Sequence, residues 1–493
     1  MGESYERLSF LDSSFLAMED ENSHFHVAGV MVFESGGLAT ADGGVDIQRI
    51  RAFVASRLHQ VPRYRQKLAW IPLERHPVWV DDDHFDIDYH VRHVRLPLPE
   101  GEVELKRLAR MILSEKLERG RPLWQLWVVE GVGSGQFALI GKAHHCMIDG
   151  VAAVEIMTVL MDFAPVERFE PGPAFVPRAS ISRGELLGRE MVRRARSPFE
   201  SLFRLRGEEA SELVRTTQQR LGAAARALGS GWLQNAPSTP INARIGPNRD
   251  FDWMTVPLDD VKAVKNALGG TVNDVLLATV AGALRNYLGA RRVEPDRLGL
   301  RAMVPVSTRR DSDSLGNRVA MWLLDLPIDE PSPRRRLQRI AARTAELKAA
   351  NHAMGAASLV QAGSFMPSSV LQQAARLAAR SGFRPFNLTI TNVPGPQIPV
   401  YFLEAQLLVH YPMVPLWFNH GLGFAIFSYN GEVAWGVVSD ADSITDLDRL
   451  IAGLGSAHAE LVKLATPPRR SSVKKPKSTS KPTTPATRRT RRS

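Results

Sequence analysis

The segment HHCMIDG (144–150) contains the residues best suited to chemistry in this sequence. Two histidines end a segment of strand-like composition, and an Asp-Gly turn then leads into an apolar helical pattern. An imidazole with a pKa near neutrality is well suited to taking a proton from an alcohol, so the spacing favours general-base catalysis. Gly150 permits a tight turn, and Asp149 is expected to hold the local backbone instead of acting on a substrate.

Other candidate chemistries have simpler interpretations. Cys146 could act as a nucleophile beside His145, but neighbouring residues of a strand point to opposite faces, which favours a small buried side chain. GVGSG (131–135) lacks the GxGxxG spacing and is predicted to be a hairpin turn, and the absence of GxSxG excludes the usual lipase nucleophile. A possible metal-binding set alternates along one predicted strand instead of converging; it consists of His84, Asp86, His90 and His93.

The elements around the histidine motif predict a mixed α/β domain. Strand-like composition covers 24–33, 85–98, 124–130 and 136–145. Helical spacing covers 47–61, 104–117 and 151–163. The histidine pair therefore lies where the second strand of a hairpin ends and a buried helix follows.

The middle of the chain differs from both ends. A Pro-rich stretch, 171–180, reads as a linker, and 181–233 reads as a helical crossover between two domains, with a basic lipid-facing surface as the alternative. Pro198 is predicted to break this helical pattern. Strand and helix signals then resume, including a helix at 271–288, a hairpin around Asn430-Gly431, and a final helix over 443–465 capped by Ser443.

The net positive charge of the protein comes from its C-terminal tail. The 493 residues contain 62 Lys and Arg and 52 Asp and Glu, and ten of the basic residues lie after Thr466, where no acidic residue occurs. The remainder of the chain is formally neutral, which weakens any interpretation as a nucleic-acid-binding protein. The tail is predicted to be disordered. A single cysteine excludes an intrachain disulfide, and neither a signal peptide nor a transmembrane run is visible.

The sequence resembles a known enzyme family. HHxxxDG is the motif of the chloramphenicol acetyltransferase and condensation-domain superfamily. The order of the flanking motifs is similar to that in bacterial wax ester synthase/acyl-CoA:diacylglycerol acyltransferases, especially actinobacterial triacylglycerol synthases. These motifs are LSFLDSSFLAMED (8–20), PLWQLWVVEGV (122–132), NDVLLATVAGALR (273–285), RAMVPVSTR (301–309), LGNRV (315–319) and TNVPGP (391–396).

The resemblance implies an α/β fold of two chloramphenicol-acetyltransferase-like domains joined by a helical crossover, with an active-site tunnel at their interface. The expected divisions are an N-terminal domain (1–170), a linker and crossover (171–247), a C-terminal domain (248–465) and the basic tail (466–493). His145 is implied as the general base and His144 as its support, with Asp149 and Gly150 structural. Further candidates for substrate binding or the tunnel wall are Pro122, Leu123, Trp124, Asn273, Asp274, Thr391 and Asn392. For Asn273 and Asp274, helix capping is an equal alternative.

The implied activity is direct acyl transfer from acyl-CoA to diacylglycerol or a long-chain alcohol. Two alternatives stay open at this point. One is a condensation-type acyltransferase with another hydroxyl acceptor or a carrier-protein thioester donor, and the other is a catalytically silent lipid-binding paralogue. No cofactor or metal is expected, acyl-CoA being a substrate. We expect a cytoplasmic protein without a nucleic-acid partner, and leave open its oligomeric state and peripheral contact with the plasma membrane or lipid droplets.

Overall fold

Two six-stranded sheets form the framework of a computed structural model, which describes residues 5–147, 159–204, 234–307, 319–354, 382 and 384–466. The strands are β1 (Glu6–Arg7), β2 (His26–Glu34), β3 (Gln66–Trp70), β4 (Pro77–Asp81), β5 (Val91–Arg95), β6 (Trp124–Gly133), β7 (Gln136–His144), β8 (Arg249–Pro257), β9 (Arg301–Ser307), β10 (Val319–Asp325), β11 (Leu388–Pro394), β12 (Tyr401–Phe402), β13 (Ala405–Met413), β14 (Leu422–Tyr429) and β15 (Glu432–Asp440). The helices are α1 (Phe10–Met18), α2 (Ile47–Arg57), α3 (Ile87–His90), α4 (Glu102–Ser114), α5 (Arg183–Arg204), α6 (Leu258–Leu268), α7 (Val272–Ala290), α8 (Pro333–Met354) and α9 (Leu447–Ala465).

The first sheet holds the histidine motif at one end. Its strand order is β12-β13-β2-β7-β6-β5, and β2 pairs with β7 in antiparallel register so that His26 lies opposite His144. β2 is buried continuously from Gly29 to Phe33 and β7 from Phe137 to Ile140, as expected of strands covered on both faces. One face packs on α4 through residues such as Val30 and Ile140, while the other packs on α2 through residues such as Phe33. The strand that ends in the motif is therefore held rigidly between two neighbours.

The second sheet supports the C-terminal half. Its order is β10-β9-β11-β14-β15-β8, and one face is covered by α6, α7 and α9. The hairpin β14–β15 turns through Asn430 (φ 45°) and Gly431 (φ 87°), as the Asn-Gly pair predicted. A small three-stranded sheet, β1-β4-β3, completes the strands.

The C-terminal half contributes two strands to the N-terminal sheet, which the sequence division did not anticipate. β12 and β13 lie within the range 248–465 but complete the N-terminal sheet, where β13 pairs with β2. β13 also contacts the second sheet so closely that a Cβ atom on Gly436 would lie 1.8 Å from the Pro412 carbonyl oxygen. The range 248–465 is thus not self-contained. Hydrophobic alternation marks a strand but does not specify its partner.

Two predicted boundaries are wrong for local reasons. The range 85–98 is not one strand, because the Asp86 side chain accepts the Asp88 amide and starts the short helix α3, leaving only β5 extended. The final helix begins at Leu447, so Ser443 is not its cap. Ser443 instead donates its backbone amide to Asp440 in the preceding turn, at 3.0 Å.

The crossover differs from expectation at Pro198. α5 runs without interruption through Pro198, so the predicted break is wrong; proline removes one helical N–H donor, but its φ is compatible with a helix.

Among the described residues, no single helix has the length and apolarity to cross a membrane. α6 and α7 reach that composition only as a pair, and a 97° bend separates them. The predicted linker at 171–180 has no regular secondary structure.

Candidate active site

His145 lies immediately beyond the end of β7, in a 3-10 turn formed by His145–Met147. Its backbone amide donates to the Phe25 carbonyl at 2.9 Å, and its ring lies 4.0 Å from the ring of Phe15 on α1. The buried Nδ1 atom has no hydrogen-bond partner among the described residues. Burial disfavours the imidazolium and lowers the pKa of His145 to about 4. The side chain is therefore neutral at physiological pH and able to accept a proton.

His144 is held by two directional hydrogen bonds. The Cys146 backbone amide donates to Nδ1 at 3.0 Å, and Nε2 lies 3.0 Å from a carboxylate oxygen of Glu19. Because Nδ1 accepts, Nε2 must bear the proton and donate to Glu19. The ring is 2% exposed, and both of its nitrogens take part in these contacts.

Glu19 connects His144 to a cation. Its carboxylate forms an ion pair with Arg119 in addition to the His144 bond. Burial opposes ionisation of this carboxyl, but the hydrogen bond from His144 and the charge of Arg119 prevail, and the pKa of Glu19 is lowered. Glu19 is therefore an ionised carboxylate beside the His144 ring.

Phe25 joins the motif to the C-terminal half. Its backbone has φ 48°, a left-handed conformation that is uncommon for a bulky residue, and this conformation accompanies the hydrogen bond from the His145 amide to its carbonyl. Its ring packs edge-on against Trp417, 5.1 Å away, in the connection between β13 and β14. Aromatic side chains from both halves thus lie around the His145 turn.

The predicted PLW residues support the end of β7 from inside the protein. All three are buried, and the Leu123 carbonyl accepts the His144 backbone amide at 2.9 Å. The Trp124 ring stacks on His90 at 4.6 Å and donates its indole N–H to the Tyr64 carbonyl. In the structure, Pro122, Leu123 and Trp124 belong to the packing that positions the motif.

Asp274 acts as a helix cap. It forms a capping box with Thr271 at the start of α7, and its second oxygen accepts the Thr344 hydroxyl of α8 at 2.7 Å. These contacts lie within the C-terminal half, so the structure favours the capping alternative over a hydrogen bond across the domain interface. Its neighbour Asn273 accepts a hydrogen bond from the Asn392 amide at 3.2 Å.

Thr391 and Asn392 point to opposite faces of the second sheet. Asn392 faces α7, where its side chain bonds to Asn273. Thr391 pairs with Ala425 of β14, and because alternate residues of a strand share a face, Thr391 lies on the same face of the sheet as Phe427. Phe427 packs on the core of the N-terminal half. Of the two, only Thr391 therefore faces the half that contains His145.

The remaining predictions concern Cys146, a metal site, and the segments that follow the histidine pair and end the chain. Cys146 is 2% exposed, and burial raises the pKa of its thiol, so it remains protonated. The described residues contain no group of three His, Cys, Asp or Glu that could hold a metal ion. Asp149, Gly150, most of the predicted helix 151–163 and all but the first residue of the 466–493 tail lie outside the described residues.

Sequence reasoning missed the residues that surround the motif in space. These are Phe15, Glu19, Phe25, Arg119 and Trp417. Phe15 and Glu19 lie within the segment LSFLDSSFLAMED, which was identified only as part of the family resemblance. Nothing in their spacing indicates contact with a motif more than 100 residues away.

The fold is that of the two-domain acyltransferases and condensation domains. The starter condensation domain of rhizomide synthetase has this fold, with a TM-score of 0.56 at 14% identity, covering 94% of each chain. The wax ester synthase/diacylglycerol acyltransferase from Marinobacter aquaeolei is more similar: TM-score 0.68 and 25% identity over 93% of this chain and 99% of that chain.

Family models identify the chain more narrowly. The wax ester synthase/diacylglycerol acyltransferase catalytic domain matches residues 8–276, and the C-terminal domain of the same family matches 315–461. A Mycobacterium tuberculosis relative, named as a candidate diacylglycerol O-acyltransferase, is 35% identical over 467 residues, covering 93% of this chain and 90% of its own. Another from the same species, similarly named, is 32% identical over 465 residues, covering 93% and 96%. The chain belongs to the wax ester synthase/diacylglycerol acyltransferase family, which confirms the resemblance and the O-acyltransferase class predicted from sequence.

Proposed function

We propose that this protein transfers an acyl group from acyl-CoA directly to the hydroxyl of diacylglycerol, with His145 as the general base. The observation that supports this best is the neutral imidazole at the end of β7, buried beside Phe15 and without a partner at Nδ1 among the described residues. A base that must accept a proton from a weakly acidic alcohol has to be neutral and desolvated before the reaction.

The proposed reaction is a single transfer. His145 removes the proton of the acceptor hydroxyl while its oxygen attacks the thioester carbonyl, forming a tetrahedral intermediate. The carbon–sulfur bond then breaks, the ester is released, and the proton passes from His145 to the CoA thiolate. No acyl-enzyme forms, and no resident cofactor or metal is required. General-base assistance accounts for about 10²–10⁴-fold of the rate, so substrate positioning and charge stabilisation supply the rest.

The surroundings of His145 support an apolar acceptor. Phe15 lies against its ring, while Phe25 and Trp417 pack together beside the turn. Such a wall favours acyl and glyceride chains over carrier-protein arms with many polar groups. Because the M. aquaeolei relative is named for both activities, a long-chain alcohol is the second acceptor to be compared.

The experiment measures ester formation by purified protein with labelled palmitoyl-CoA and either dioleoylglycerol or hexadecanol. We expect labelled triacylglycerol from the wild type, and a loss of about 10²–10⁴-fold in kcat for His145→Ala. His59→Ala is the matched control, since His59 is an exposed histidine whose substitution leaves the motif intact. Wild-type rates from His145→Ala would overturn the assignment of the base.

Absence of ester with both acceptors, from folded protein that binds acyl-CoA, would overturn the proposed acceptors. The two open alternatives would then be separated by offering carrier-protein thioesters and other hydroxyl acceptors. Binding without transfer to any acceptor would identify a silent lipid-binding paralogue.

A further inference from the structure

Glu19 is the C-cap residue of α1. It directly follows α1, yet its side chain turns inward and is only 9% exposed. There it contacts two groups that are distant in sequence, His144 and Arg119. A buried carboxylate is costly unless it is paired and hydrogen-bonded, and Glu19 is both.

The Glu19 carboxylate and the Cys146 amide contact opposite nitrogens of His144, and both contacts favour the same tautomer. With Nε2–H directed at the carboxylate, Nδ1 is left as an acceptor, and the Cys146 amide donates to it at 3.0 Å. That amide belongs to the 3-10 turn that contains His145. A chain of three hydrogen-bonded groups therefore connects Glu19 to the turn: carboxylate, imidazole and backbone amide.

We propose that Glu19 is a positioning residue that fixes the tautomer and orientation of His144 and, through the Cys146 amide, the turn that places His145. The proposal deepens the proposed function, because it assigns a role to the side chain that supports the general base. Displacement of a reacting group by about 1 Å can cost about 10²-fold in rate, so a support of this kind affects kcat more than substrate binding.

The segment after Glu19 is itself firmly anchored. The Asp20 carboxylate accepts the Asn22 and Ser23 amides at 2.8 and 2.6 Å, and Lys116 donates to the Asp20 carbonyl at 2.7 Å. The Asn22 side chain donates to the Ile245 carbonyl at 3.0 Å. These contacts hold the backbone on the C-terminal side of Glu19, as a positioning role requires.

The test compares Glu19→Ala and Glu19→Gln in the full-length enzyme. We expect kcat to fall about 10²-fold in Glu19→Ala with KM within twofold of wild type. Glu19→Gln should retain at least fivefold more activity than Glu19→Ala, because its amide oxygen still accepts the His144 proton. Arg119, whose side chain is 46% exposed, reaches water when its partner is neutral, so Glu19→Gln leaves no buried unpaired charge.

Glu21→Gln is the matched control. Glu21 lies two residues away, and its ion pair with Arg244 is exposed on both sides, so kcat should stay within twofold of wild type. A double-mutant cycle then tests the route: in a His144→Ala background, Glu19→Ala should cause less than a twofold further loss. Full additivity, or wild-type kcat in folded Glu19→Ala, would overturn the proposal.

A second readout does not depend on activity. In protein with ¹⁵N-labelled histidines, the His144 ring should show a protonated Nε2 and an unprotonated Nδ1, its signals being those absent from His144→Ala. Glu19→Ala should lose this tautomer preference while Glu21→Gln keeps it. An unchanged His144 tautomer in Glu19→Ala would contradict this inference, even if the variant also failed to form ester. If the wild type forms no ester but the tautomer still shifts in Glu19→Ala, only the proposed function is contradicted.

Discussion

The burial of His145 makes the pH dependence of the reaction a sharp test. The proton-accepting form is the neutral imidazole, and burial lowers the pKa of His145 to about 4 from its ordinary value of 6.5. Activity should therefore be constant from pH 8 down to about pH 5 and decline below that. At pH 5.5, about 97% of a base with a pKa of 4 is neutral, against about 9% for an exposed histidine.

Phe15→Ala should reverse much of this effect. The Phe15 ring lies 4.0 Å from the imidazole and is 4% exposed, so its removal admits water to His145. Hydration favours the imidazolium, and the pKa of His145 should rise towards 6.5. A rise of about two units would leave about 24% of the base neutral at pH 5.5, so the variant should lose about fourfold on going from pH 8 to 5.5 where the wild type loses almost nothing.

The assay is kcat/KM for acyl-CoA from pH 5 to 8, because this quantity reports the free enzyme. Removing a buried Phe costs about 3–5 kcal/mol of stability, so circular dichroism must establish folding at each pH, and Phe15→Leu provides a milder variant. Phe163→Ala is the matched control, since Phe163 is 72% exposed. A wild-type midpoint near pH 6.5, or an unchanged profile in both folded Phe15 variants, would refute the reasoning.

Two further predictions concern stability and are measured by urea unfolding. Asp274→Ala removes the capping box of α7 and the Thr344 bond, and should lower the free energy of unfolding by about 1–3 kcal/mol. Asp259 is an exposed first-turn residue of α6, so Asp259→Ala should change this free energy by less than about 0.5 kcal/mol. Equal effects of the two substitutions would contradict the capping role of Asp274. Gly436→Ala places a Cβ 1.8 Å from the Pro412 oxygen and should cost about 1–3 kcal/mol or more, while Gly188→Ala, in an open part of α5, should gain about 0.5–1 kcal/mol. A tolerated Gly436→Ala would show that β13 and β15 are not closely packed.

Local features of the fold were predictable from sequence because their causes are local. The Asn-Gly turn of β14–β15 needs only positive φ at two adjacent residues. The strand before the histidine pair follows from its apolar composition and the Gly-Ser-Gly turn before it, and it ends at His144, one residue before the predicted end. The boundary errors at Asp86 and Ser443 arose where one hydrogen bond to the backbone outweighed the hydrophobic pattern.

Pairings between distant strands were not predictable in the same way. β13 has an ordinary strand sequence, and nothing in it indicates that its partner is β2 of the other half. The same limit applies to Thr391 and Asn392, which are adjacent in sequence but face different halves of the molecule. Sheet partners depend on how complete elements pack, and a single sequence contains no direct record of that packing.

The sequence by itself determined the histidine motif, the order of the family motifs, and hence the enzyme class. The tertiary structure alone decided the chemical state of the two histidines. Glu19 lies 125 residues from His144 and 100 from Arg119, so only folding brings its carboxylate to both side chains. The lowered pKa of His145 likewise comes from desolvation by distant side chains, because the energy of a charge depends on everything packed around it and not on its neighbours along the chain.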